Sequence, residues 1–89
     1  MSKNITALEI KPGDGTVSIG TAVQLRLFAT TDSGGTDLIP ASMAVWSSSN
    51  AAVAEVNRQG RLSPRRPGTA TLTAAFNGKV ARAVFTAVV

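Results

Sequence analysis

Trp46 is the only tryptophan in a chain with three phenylalanines and no tyrosine, and the stretch around it constrains the fold most. Ser47-Ser48-Ser49-Asn50 follows at once, too polar and turn-prone to stay inside a core. A short apolar alternation, Val53 and Val56 with Ala54 between, then runs into a turn ending at Gly60. Val45 to Gly60 therefore reads as strand, tight surface turn, strand, turn, with Trp46 buried at the end of its strand.

The flanking sequence repeats this grammar. Ile5, Leu8 and Ile10 mark a first strand closed by Pro12-Gly13-Asp14-Gly15, a strong turn signal. Val17 and Ile19 look like that strand resuming after the break. Val23, Leu25, Leu27 and Ala29 give the cleanest period-2 pattern. Asp32 to Asp37 is a glycine-rich loop, and Pro40 favours extended backbone at Ile39. Met43 to Trp46 forms the tryptophan strand, and Ala51 to Ala54 allows one helical turn. Arg61-Leu62 is a brief strand, and Pro64 to Gly68 a rigid loop. Ala70, Leu72, Ala74 and Phe76 alternate with threonines. Asn77-Gly78 then signals a two-residue hairpin, because a type I′ turn needs positive φ twice. The last strand, Lys79 to Val89, points Ala81, Ala83, Phe85 and Ala87 inward. No segment keeps helical spacing over three turns.

The expected architecture is an all-β, two-sheet antiparallel sandwich of about seven strands. Trp46 is expected at the centre of the core, with Leu25, Leu27, Leu72 and Phe85 around it. The chain has 89 residues, enough for a single domain spanning 1–89 with a narrow stability margin. Without cysteine there is no disulfide. Met1-Ser2-Lys3-Asn4 leads into the first strand without an apolar leader segment. No run is long enough to span a bilayer, so no membrane insertion is expected.

Catalysis is disfavoured. Histidine, the commonest general base, is absent, so the many serines have no partner to activate them. Asp14, Asp32 and Asp37 lie in loops, but Ca²⁺ needs six to eight converging oxygens, and they read as solvated turn residues. The glycine pairs sit in turns, outside any phosphate-loop or dinucleotide context. No enzyme activity, cofactor or metal is expected.

Two features bear on binding. The phase that buries Leu25 and Leu27 turns Phe28 outward, where either a strand edge or loop covers it or a partner chain does. The same parity places Val80, Val84 and Val88 on the outer face of the last strand. Arg58, Arg61, Arg65 and Arg66 concentrate four of the nine cations. They form either a solvated edge that resists strand-to-strand aggregation or a contact for an acidic protein surface or a glycan. Nucleic acid is the weakest option, because the net charge is only +4 and no aromatics interleave with the arginines. Phe28, Val84, Val88 and these arginines are the candidate contact residues.

The order and spacing of several pieces resemble the bacterial immunoglobulin-like domain, group 2. They are Gly20 before Val23-Gln24-Leu25, Gly35-Thr36-Asp37, Val45-Trp46-Ser47-Ser48-Ser49-Asn50, Val53-Ala54-Glu55-Val56, Gly60, and Pro67-Gly68-Thr69-Ala70-Thr71-Leu72-Thr73-Ala74. The basic Pro64-Arg65-Arg66-Pro67 departs from the short polar turn usual there. The resemblance implies an immunoglobulin-like sandwich without the inter-sheet disulfide, and a spacer or adhesion module without catalytic residues. Such domains occur on tailed-phage virions and as repeats of intimin- and invasin-type adhesins. The expected role is an accessory protein of a phage virion, held by a capsid or tail protein and touching a host glycan or receptor. The alternative is one repeat of a bacterial cell-surface adhesin beside neighbouring domains.

Overall fold

The computed structural model describes residues 5–89; the expectation about Met1 to Asn4 lies outside them. Ten strands follow in order: β1 Ile5–Lys11, β2 Gly15–Ser18, β3 Val23–Gln24, β4 Arg26–Thr31, β5 Thr36–Ile39, β6 Val45–Ser48, β7 Ala54–Val56, β8 Arg61–Pro64, β9 Gly68–Phe76 and β10 Lys79–Val88. The one helical turn among these residues is a 3₁₀ turn at Ala41–Met43, directly after Pro40.

The strands form two layers. They pair as three sheets, not the two expected: β1-β4-β5 and β3-β8-β7, continuous through β3 and β4, make one layer, and β2-β10-β9-β6 makes the other. The strand expected at Val23 to Ala29 is split at Leu25, whose N–H donates to the Gly60 carbonyl at 2.8 Å. The opening strand is split too. After Pro12, which follows a cis peptide bond, the chain changes layers. There β2 pairs with β10 in parallel, from Gly15 beside Phe85 to Ser18 beside Val88. This is the exception to the antiparallel expectation; the other pairings among the described residues are antiparallel. β5 begins at Thr36, inside the expected loop, because it pairs with β4 from Thr30–Thr36 onward.

Facing positions in the second layer combine one large side chain with alanines. Trp46, Ala74 and Ala81 share a row; so do Leu72 and Ala83, and Phe85 and Ala70. Small neighbours leave room for the leucines of the opposite layer to interdigitate. The largest fully buried side chains are Phe85, Leu25, Leu27, Leu62 and Leu72. Leu62 was not expected among them, because a lone apolar residue between Arg61 and Ser63 carries no period.

Trp46 corrects an expectation. It is partly buried and packs against the core from the side, not at its centre. β6 is the outermost strand of its layer, so its inward residues reach the seam between the layers. There the indole N–H donates to the Ala41 carbonyl at 2.8 Å. The ring covers Gly60, where a Cβ would stand 3.0 Å from Trp46 Cζ2.

The serine run does not end the strand either. β6 continues to Ser48, and the Ser49 N–H donates to the Thr71 carbonyl at 2.9 Å. Ser48 Oγ donates to the Ala54 carbonyl at 2.6 Å, and Ser49 Oγ accepts from the Thr71 N–H at 2.8 Å. These hydroxyls satisfy backbone groups where the chain leaves one layer for the other.

The molecule measures 47 × 19 × 17 Å. The stretch from Ile5 to Ser18, at about 3.3 Å per residue, accounts for the long dimension, so the strands run along it. β1 starts beside Thr31 at one end. The Gly20 N–H meets the Pro64 carbonyl at the other end, where β10 finishes beside Ser18. The first described strand thus comes in at one end of the rod, and the last leaves at the opposite end.

Candidate interaction faces

On the outer face of the first layer, Phe28 stands in a row between Glu9 of β1 and Leu38 of β5. It is half-buried, while Leu38 is 59% exposed. Glu9, Lys11, Phe28, Thr30 and Thr36 line a shallow depression of about 250 Å³. Among the described residues, its cross-strand neighbours Glu9 and Leu38 flank Phe28. Lys11 and Glu9 pair at 2.9 Å beside it, an exposed ion pair that contributes little stability.

The outer face of the second layer is different in kind. Its positions are Thr16 and Ser18 of β2, Val80, Arg82, Val84, Thr86 and Val88 of β10, Thr69, Thr71, Thr73 and Ala75 of β9, and Val45 and Ser47 of β6. Among these described positions, Arg82 is the one charge. Val80, Val84 and Val88 are 46%, 40% and 38% exposed, and Val45 is 71% exposed. Ala75 joins Val45 to Val80 in one apolar row across three strands. Val45 was missed as a face residue, although the parity that turns Trp46 inward turns Val45 outward.

The arginines do not form one patch. Arg58 lies in the turn before β8, Arg61 opens that strand, and Arg65 and Arg66 follow its other end. The four residues of β8 separate the pairs by about 13 Å. Arg65 Nε meets Glu55 Oε2 at 3.2 Å across the exposed edge strand β7. Arg58 instead borders a cleft of about 320 Å³ lined also by Trp46 and Val56.

The sequence that builds this sandwich matches the family model for the bacterial Ig-like domain (group 2) over residues 4–85. The chain belongs to that family. No curated protein sequence matches it. Among solved structures, this Ig-like domain is similar to domains 4 and 5 of the S-layer protein SbsC. Identity there is 12%, with a TM-score of 0.79, over 99% of this chain and 54% of that one. It is also similar to SbsC domains 5-6, at 12% identity and a TM-score of 0.76, over 98% of this chain and 45% of that one. At such identity the likeness concerns the fold. The Ig-like domain spans about half the length of each of these structures.

Of the three carboxylates expected in loops, Asp14 and Asp32 lie in turns of the Ig-like domain, whereas Asp37 stands in β5. Among the described residues, no three acidic, histidine or cysteine side chains come together as metal ligands. Asp14 is an exposed turn residue, as expected, and it also ties the turn to the sheet. Its Oδ1 accepts the Val84 N–H at 2.7 Å. That bond stands one step before the β2–β10 ladder begins at Gly15 and Phe85. The sequence signal for it was weak, because an aspartate in a Pro-Gly-Asp-Gly turn is already explained by local turn chemistry.

Proposed function

We propose that this Ig-like domain is a non-catalytic structural and adhesion module that serves as an accessory protein of a phage virion. A capsid or tail protein holds it, through the valines of β10 or through Phe28. The observation that carries the modular reading is the axial course of the chain: strands run in at one end of a 47 Å rod and out at the other. Such a body transmits position from one attachment to the next without any chemistry of its own. The missing histidine and cysteine support the non-catalytic part. The virion setting comes from the family resemblance. Arg58, Arg61, Arg65 and Arg66 orient docking on an acidic protein surface or a glycan, because rim charges act mainly on association rate. Nucleic acid is not the partner, and the chain is not inserted in a membrane.

A second reading, one spacer or adhesion repeat of a bacterial cell-surface protein, is favoured by the same axial course and by the likeness to two-domain S-layer structures. Antibody labelling of purified virions and of whole cells separates the two. Label on the particles supports the first, label only on the cell surface supports the second, and a purely cytoplasmic pool contradicts both.

A further inference from the structure

We propose that β2 and β10, closed by Asp14, form a tension clamp that keeps the domain folded when it is pulled from its two ends. The proposal rests on the spacer reading for the origin of the load, and its mechanics follow from the strand directions. β2 and β10 are parallel neighbours along the rod. A pull on the end where β1 begins draws β2 one way, and a pull on Val89 draws β10 the other. The two strands are then loaded in shear, so the bonds between them share the force and must fail together. The same pull shears β1 along β4, which it pairs with from Ile5–Thr31 to Lys11–Arg26.

Both ends of the clamp are extended beyond the paired residues. At one end the Ile19 N–H donates to the Val88 carbonyl at 2.8 Å. At the other, the parallel ladder would need a carbonyl opposite the Val84 N–H, but the chain has already turned away at Gly13. The Asp14 carboxylate takes that place at 2.7 Å. Being charged, this acceptor is stronger than the carbonyl it replaces.

Force spectroscopy in two pulling directions tests the proposal. One direction uses tandem copies joined through their first and last residues. The other uses Thr21→Cys, the single thiol in a cysteine-free chain, with the C-terminus. Thr21 and Val89 lie at the same end of the rod, so this second pull peels β2 from β10 bond by bond. The expected result is an end-to-end rupture force several times the peeling force. Asp14→Ala should lower the end-to-end force and leave the peeling force nearly unchanged, and Asp14→Asn, which keeps an acceptor oxygen, should restore most of the loss. Equal forces in the two directions overturn the clamp, as does an Asp14→Ala protein that ruptures end-to-end like the parent. The length of each folded copy, read from the same traces, tests the spacer reading separately.

Discussion

The indole of Trp46 serves the seam in two ways, one polar and one apolar. Its N–H closes on the Ala41 carbonyl, and its face covers Gly60. Trp46→Ala removes both and leaves a seam that the surrounding strands cannot refill. The expected cost is about 3 kcal/mol, at the low end for an aromatic truncation because the ring is only partly buried. Trp46→Phe keeps most of the packing and should cost about 1 kcal/mol, from the carbonyl left unpaired. Gly60 adopts φ of +72° under the ring, so Gly60→Ala should cost about 1–3 kcal/mol through strain and crowding together. Urea denaturation of the three variants checks this order, and a Trp46→Ala midpoint equal to that of the parent contradicts it. The importance of Trp46 was legible in the sequence, because a lone tryptophan before a serine run has few places to go. Its position at the seam was not, since that depends on β6 being outermost, a long-range fact that period-2 patterning does not encode.

At the scale of the element, the β9–β10 hairpin was readable in full. Asn77 and Gly78 have φ of 51° and 78° between the paired Phe76 and Lys79, as a two-residue turn with positive φ requires. Gly78→Val should cost about 1–3 kcal/mol, because a β-branched residue resists that conformation, although no atom lies within 4 Å of the added Cβ. A thermal melt reads the loss. β2 and β5 were harder to read. Both are short, and both owe their existence to a partner strand: β2 to β10, distant in sequence, and β5 to Leu27 through Thr30 of β4. The face valines of β10 followed from parity alone. Val84→Asp and Phe28→Asp change exposed or half-exposed positions, so both proteins should keep a folded spectrum by circular dichroism. At least one should lose incorporation into the assembly, measured by co-sedimentation. Two folded variants that still assemble like the parent would assign the attachment to the loops or the arginines.

Taken whole, the molecule is a rod whose strands lie along its length, with the first described strand and the last at opposite ends. The two-layer fold was legible because alternation, turn residues and the order of motifs agreed with one another. The axial course was less so, since it depends on the chain changing layers after Pro12 and on β2 running parallel to β10. Both the spacer reading and the tension clamp stand on that course. It is tested most directly by the distance between spin labels at Thr6→Cys and Val89→Cys, two exposed positions in a chain that has no cysteine of its own. Thirteen residues of extended chain from Thr6 to Ser18, at about 3.3 Å each, predict a separation of about 40 Å. A separation near the 19 Å width of the molecule would put both ends on the same side and contradict the account.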